Sequence, residues 1–181
     1  PLDRRGERRR SPLLEAAYLA RRLAEAGLKG LVFAGARKSA ELIARYAAHP
    51  LVRPYRAGYT ARERRRLEAD LKEGRVRVLV STSALELGVD IGELDAVVLV
   101  GYPGSTAAFW QRAGRAGRGE RRALLVYIPR EDPMDEYFLH RPALLLESPP
   151  EEAVADPQNP VLCPLHLHAA AREKPLLAEE L

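Results

Sequence analysis

Gln111-Arg112-Ala113-Gly114-Arg115-Ala116-Gly117-Arg118 sets three guanidiniums at intervals of three residues, with glycines between them. That spacing puts Arg112, Arg115 and Arg118 on roughly one face of a helix or tight helical turn. Each guanidinium stays charged at any working pH and carries five fixed donors, so the cluster suits a polyphosphate. A solvated basic helix would also carry such arginines, but two glycines inside it would cost roughly 1 kcal/mol each against alanine. Glycine is better accounted for if a ligand or a second backbone must come close.

Two further stretches could contact anions. Ser81-Thr82-Ser83 is followed by Gly88-Val89-Asp90-Ile91-Gly92. The hydroxyls of Ser81 and Thr82 can bond a nucleic-acid phosphate without reading sequence. Asp90, flanked by glycines, can accept from a ribose hydroxyl. The competing reading is ordinary capping by Ser83 and a turn at Gly88. Arg37-Lys38 opens a helix, where the helix dipole would help hold a phosphate. Such a pair can equally be solvated. Cys163, His166 and His168 lack a fourth ligand nearby, so no metal site is expected.

Helices and strands must position these groups. Ser11-Pro12 caps a helix whose apolar stripe runs to Gly27. Leu31–Ala34 reads as a strand, 37–48 as a helix, and 52–56 as a strand interrupted by Pro54. Thr60 caps a helix over 61–73, which Gly74 stops. Strands follow at 76–81, 95–100 and 123–128, with the helix of Gln111 between the last two. Continuous apolar strands separated by helices imply an α/β fold with a parallel sheet covered on both faces. Ligands of such sheets sit beyond the carboxyl ends of the strands, and the candidate residues fall there. Three parts are expected: a loose segment 1–10, an α/β domain 11–130, and a proline- and acid-rich linker opening a helical domain at 131–181. In the last part, Asn159-Pro160 starts a helix over about 160–173, with Pro164 set awkwardly inside it.

The totals fit. The chain has 181 residues, 46% of them hydrophobic, enough for a real core. Its net charge of +4 permits an anionic partner. The single cysteine excludes an internal disulfide and suits a reducing, cytoplasmic compartment. No apolar run is long enough to cross a bilayer, so no membrane partner is expected. The chain opens on Pro1, so a longer polypeptide is expected.

Residues 111–118 resemble motif VI of superfamily 2 DEAD/DEAH-type helicases, 81–92 resemble motif V one strand earlier, and 31–39 resemble motif IV. Gly101-Tyr102-Pro103-Gly104-Ser105, Trp110-Gln111 and Asp156-Pro157-Gln158-Asn159-Pro160 are similar in wording to the bacterial MrfA/YprA DNA-repair helicases and their RecQ-like eukaryotic relatives. The resemblance covers about residues 11–175. It implies the second, C-terminal RecA-like domain: a three-layer α/β/α fold with a mostly parallel sheet and a helical extension. It further implies Arg115 and Arg118 as arginine fingers, with Gly88, Asp90, Gln111 and Arg112 facing the nucleotide. Arg37, Lys38, Ser81 and Thr82 would hold the nucleic-acid backbone.

No Gly-x-x-x-x-Gly-Lys-Ser/Thr phosphate loop and no Asp-Glu-x-His or Asp-Glu-Ala-Asp stretch occurs in the sequence. The resemblance therefore assigns ATP and Mg²⁺ mainly to a preceding RecA-like domain of the same polypeptide. The expected partners are ATP, that domain, and single-stranded nucleic acid, DNA ahead of RNA. The chain alone is expected to be inactive. An RNA helicase domain and a non-catalytic nucleic-acid-binding module remain the alternatives.

Overall fold

Successive residues of the inner strands are nearly all apolar, Ser81 at the end of β3 apart, because both sides of the sheet are covered. The computed structural model describes residues 11–85, 91–117, 122–151, 156, 158–175 and 177. Five strands pair in parallel in the order β2-β3-β1-β4-β5. They are β1 Gly30–Phe33, β2 Val52–Pro54, β3 Val78–Ser81, β4 Ala96–Val100 and β5 Leu124–Ile128. The helices are α1 Pro12–Glu25, α2 Arg37–Ala47, α3 Ala61–Lys72, α4 Thr106–Ala113, α5 Pro133–His140, α6 Pro142–Leu146 and α7 Leu162–Glu173.

The period-two pleat divides the core. Val32, Val78, Val80, Ala96 and Val98 face α1 and α2, where Ala16, Ala20, Leu23 and Ile43 meet them. Leu31, Phe33, Leu79, Val97 and Leu99 face the other way, onto Leu71 of α3 and Phe109 of α4. Each fully buried Val, Leu or Phe contributes roughly 1.5–3 kcal/mol, so the two faces together hold the sheet. Pro54 fits because β2 is an edge strand and ends there.

Local signals set the helix ends. Thr60 and Glu63 form a reciprocal capping box on α3, with Thr60 N–H donating to Glu63 at 2.8 Å. Gly27, at φ +72°, follows α1, while Ala48 takes the same left-handed conformation after α2 at φ +47°.

The chain divides into two compact units, Pro1–Pro150 and Glu151–Leu181. Residues 131–150, expected to lie in a linker, form α5 and α6 within the first unit. Phe138 and Leu145 join the core face that holds Phe109. Asp132 caps α5 by accepting the N–H groups of Met134 and Asp135, and Pro133 takes the first helical position. In the second unit, Asn159 Oδ1 accepts from the N–H groups of Val161 and Leu162, both at 3.0 Å. Pro164 then falls in the first turn of α7, where its missing N–H costs nothing.

Candidate functional site

Parallel pairing brings the carboxyl ends of β1, β3 and β4 side by side. The chain leaves them through Ala34-Gly35, Thr82-Ser83 and Gly101-Tyr102-Pro103. These segments, with Arg112 of α4 and Arg130 after β5, line a polar cavity of about 190 Å³. A larger hollow of about 520 Å³ lies between β2 and α3, but its Arg75 and Asp70 already pair at 2.7 Å. The strand-end cavity is therefore the better candidate, by chemistry rather than by size.

Arg112 reaches the cavity from the last turn of α4. Ser105 starts that helix by accepting the N–H of Ala108 at 3.0 Å, and Phe109 anchors it in the core. The Arg112 guanidinium lies over the Phe33 ring, 5.4 Å from its centroid, which favours a fixed cation beside β1.

Arg130 is held by a buried carboxylate. Asp135, fully buried, accepts the N–H of Tyr102 at 2.6 Å, the hydroxyl of Tyr127, the N–H of Arg130 at 3.0 Å and Arg130 Nε at 3.4 Å. Arg130 Nη2 also donates to Asp132 at 3.0 Å. The N–H of Asp135 is the main reason the Asp132 carboxyl is held below the usual range. Burial, and then the adjacent Asp135, push the Tyr127 hydroxyl up. On the far side of the same layer, burial and the hydrogen bond to Glu68 push Tyr55 up to about 12.

Of the residues singled out in the sequence, Thr82 and Arg112 meet in this cavity. Gln111 is exposed and lies outside the lining. Arg37 and Lys38 are exposed on the first turn of α2, after β1, and also lie outside it. Ser81 is fully buried, with no hydrogen-bond partner for its Oγ among the described residues, so its side chain does not reach the surface. Arg112 and Arg115 do not share one helical face as expected. The α-helix stops at Ala113, a tight turn carries the chain to Ala116, and Gly117 ends it at φ +73°. Arg112 lines the cavity, whereas Arg115 is buried, 7% exposed. Gly88, Asp90 and Arg118 lie outside the described residues. Trp110 is partly exposed and meets the buried Phe109 ring edge-on, 5.6 Å away.

Sequence reasoning missed Arg130 and Asp135, and it gave Gly35 and Gly101 no part in holding them. One signal was available: Asp132-Pro133 is the same cap-and-proline start as Ser11-Pro12, and it announces α5. Nothing in the spacing shows that Asp135 would turn inward.

Residues 13–120 match the family described as helicase conserved C-terminal domain. The chain is 39% identical over 180 residues to the uncharacterized ATP-dependent helicase YprA of Bacillus subtilis, covering 95% of this chain and 24% of that protein. It is 37% identical over 179 residues to the ATP-dependent helicase hrq1 of Schizosaccharomyces pombe, covering 93% and 17%. The crystal structure of the DUF1998 helicase MrfA bound to DNA and AMPPNP superposes with a TM-score of 0.82 at 38% identity, over 99% of this chain and 26% of that one. The chain thus spans about a quarter or less of the length of these relatives.

Proposed function

Because this chain belongs to the helicase conserved C-terminal domain family, we propose that it is the second motor domain of an ATP-dependent DNA helicase or translocase. The observation that carries the reading is the meeting of Thr82 and Arg112, from two separate motifs, in one polar cavity at the strand ends. DNA is favoured over RNA by the DNA-bound structure of MrfA, which the whole chain resembles.

In this reading ATP lies between two RecA-like halves. The preceding half supplies the phosphate loop and holds Mg²⁺, which neutralises phosphate charge. This half brings Arg115 and Arg118 to the charge that develops on the transferred phosphoryl group, with Gln111, Arg112, Gly88 and Asp90 around the nucleotide. Thr82, Arg37 and Lys38 hold one strand of nucleic acid by its phosphates. Changes in the cleft between the halves then move that grip along the strand. Cytoplasmic placement is part of the same proposal, and no described helix is long and apolar enough to cross a membrane.

The test has two arms. Titration of a labelled single strand with the complete protein at several salt concentrations should give weak discrimination between sequences. The two cationic phosphate contacts of this half, Arg37 and Lys38, would add about −1.4 to the log–log salt slope. A salt-independent affinity would refute the grip. The isolated chain should hydrolyse no ATP above a buffer blank, with or without DNA, and turnover would refute the two-half reading.

A further inference from the structure

The two edges of the sheet are finished differently. At β2, Leu51 and Tyr55 bond to β3, so Val52 and Pro54 face outward. The Val52 N–H donates to the His49 carbonyl at 3.1 Å, Pro54 has no N–H, and Arg53 stands exposed between them. That edge offers a partner strand no donor, as blunted edges do. β5 is open. The Leu124 N–H donates to the Asp95 carbonyl at 2.9 Å, and the Ile128 carbonyl accepts from the Gly101 N–H at 2.9 Å, so alternate residues of β5 pair with β4. Leu125 and Tyr127 turn their N–H and C=O groups outward, and those four groups have no hydrogen-bond partner among the described residues. The strand reads Leu-Leu-Val-Tyr-Ile, without a charge, and Pro129 ends it. Leu124 is 54% exposed. Against the start of this strand an apolar hollow of about 260 Å³ opens among Trp110, Ala113, Ala116, Leu124 and Leu125. An uncharged edge with free donors and acceptors and an apolar seat beside it is a template for strand addition.

We propose that β5 takes a sixth strand, supplied by a part of the same polypeptide outside these 181 residues, with a bulky apolar side chain of that strand seated beside Trp110. The inference rests on the reading of this chain as one domain of a longer polypeptide. YprA and MrfA, of which this chain spans 24% and 26%, have ample length for such a segment. Main-chain bonds supply the hold, and the hollow selects the side chain. Magnitude decides where the strand comes from. Four backbone hydrogen bonds, each modest against water, do not offset the freedom that separate molecules lose on association. A strand tethered in the same polypeptide arrives at an effective concentration on the order of millimolar, so the same four bonds suffice.

The experiment has two readouts in the complete protein: amide hydrogen exchange resolved to single residues, and photo-crosslinking from a benzophenone side chain introduced at position 124. The N–H groups of Leu125 and Tyr127 should exchange about a hundredfold more slowly than free peptide amides, at every protein concentration. Irradiation should join position 124 to a segment of the same polypeptide outside these residues, with no change in chain number on a denaturing gel. Leu124→Lys places a charge on an exposed position of the edge and should speed exchange at Leu125 and Tyr127 about tenfold or more. Circular dichroism and the amide of Val98, paired inside the sheet, should stay as in the parent. If that variant does not fold, exchange and crosslinking in the parental protein decide alone. Free-peptide exchange at both amides overturns the inference and leaves the motor-domain reading intact. Protection that rises with protein concentration, with crosslinks between two copies, assigns the edge to a second copy and also overturns it. If the complete polypeptide adds nothing to these residues, the motor-domain reading fails first and the inference with it.

Discussion

Replacing Asp135 with alanine tests whether the strand-end site depends on one buried carboxylate. Four hydrogen bonds converge on it: from the N–H of Tyr102, the hydroxyl of Tyr127, and the N–H and Nε of Arg130. Alanine would leave the Tyr102 and Arg130 N–H groups and the Tyr127 hydroxyl without an acceptor, at about 1–3 kcal/mol for each that stays dry. The Arg130 side chain is 45% exposed, so water can take up part of its loss. Burying the carboxylate has its own desolvation cost, and alanine removes it. The net expectation is a loss of about 3–4 kcal/mol, within the range for breaking a buried pair by removing one partner. Against a total of about 5–15 kcal/mol this is a large fraction. With a urea slope of about 2 kcal/mol/M, the unfolding midpoint should fall by about 1.5–2 M. Urea titration followed by fluorescence and circular dichroism reads it directly. Tyr127→Phe should cost less, about 1.5–3 kcal/mol. The double variant should cost less than the sum, because both changes remove the same contact. A midpoint shift worth less than about 0.5 kcal/mol for Asp135→Ala would show that the four bonds do not hold the site.

Arg115→Lys in the complete enzyme should lower single-turnover ATP hydrolysis by on the order of 10³-fold, with a smaller change in nucleotide affinity. Because Arg115 is buried, melting temperature is read in parallel, and a large drop with hydrolysis retained would place it in the fold instead. Tyr55 is pushed up to about 12 in the folded state, so its contribution to stability is complete below about pH 10 and is lost as pH rises towards 12. Tyr55→Phe should flatten that alkaline loss in urea midpoints measured across the range, and an unchanged profile would contradict the assignment. Ala48→Gly should stabilise the domain by up to about 1 kcal/mol, since alanine there holds a left-handed backbone that glycine adopts without strain. A lower thermal midpoint would show that the turn is not strained.

The sequence by itself determined the sheet and most of its helices. Apolar runs such as Leu31–Phe33 and Val78–Val80 could be satisfied only by burial on both faces, and caps such as Ser11-Pro12 and Thr60 announced the helices. Thr82 came under suspicion because it follows a strand end, where parallel sheets bind ligands, and Arg112 because of its spacing with the arginines after it. Spacing could not give depth. Ser81 and Thr82 look alike in the chain, yet the pleat buries the first completely and leaves the second at the cavity. Arg112 and Arg115 share a period, but the helix ends between them, so one lines the cavity and the other enters the interior. Arg130 and Asp135 were invisible because their partners, Gly35, Gly101 and Tyr102, lie about 30 to 95 residues away and meet them only through the order of parallel strands. Local chemistry sets where an element starts and stops; which side chains share one small space is decided by packing between segments distant in the chain.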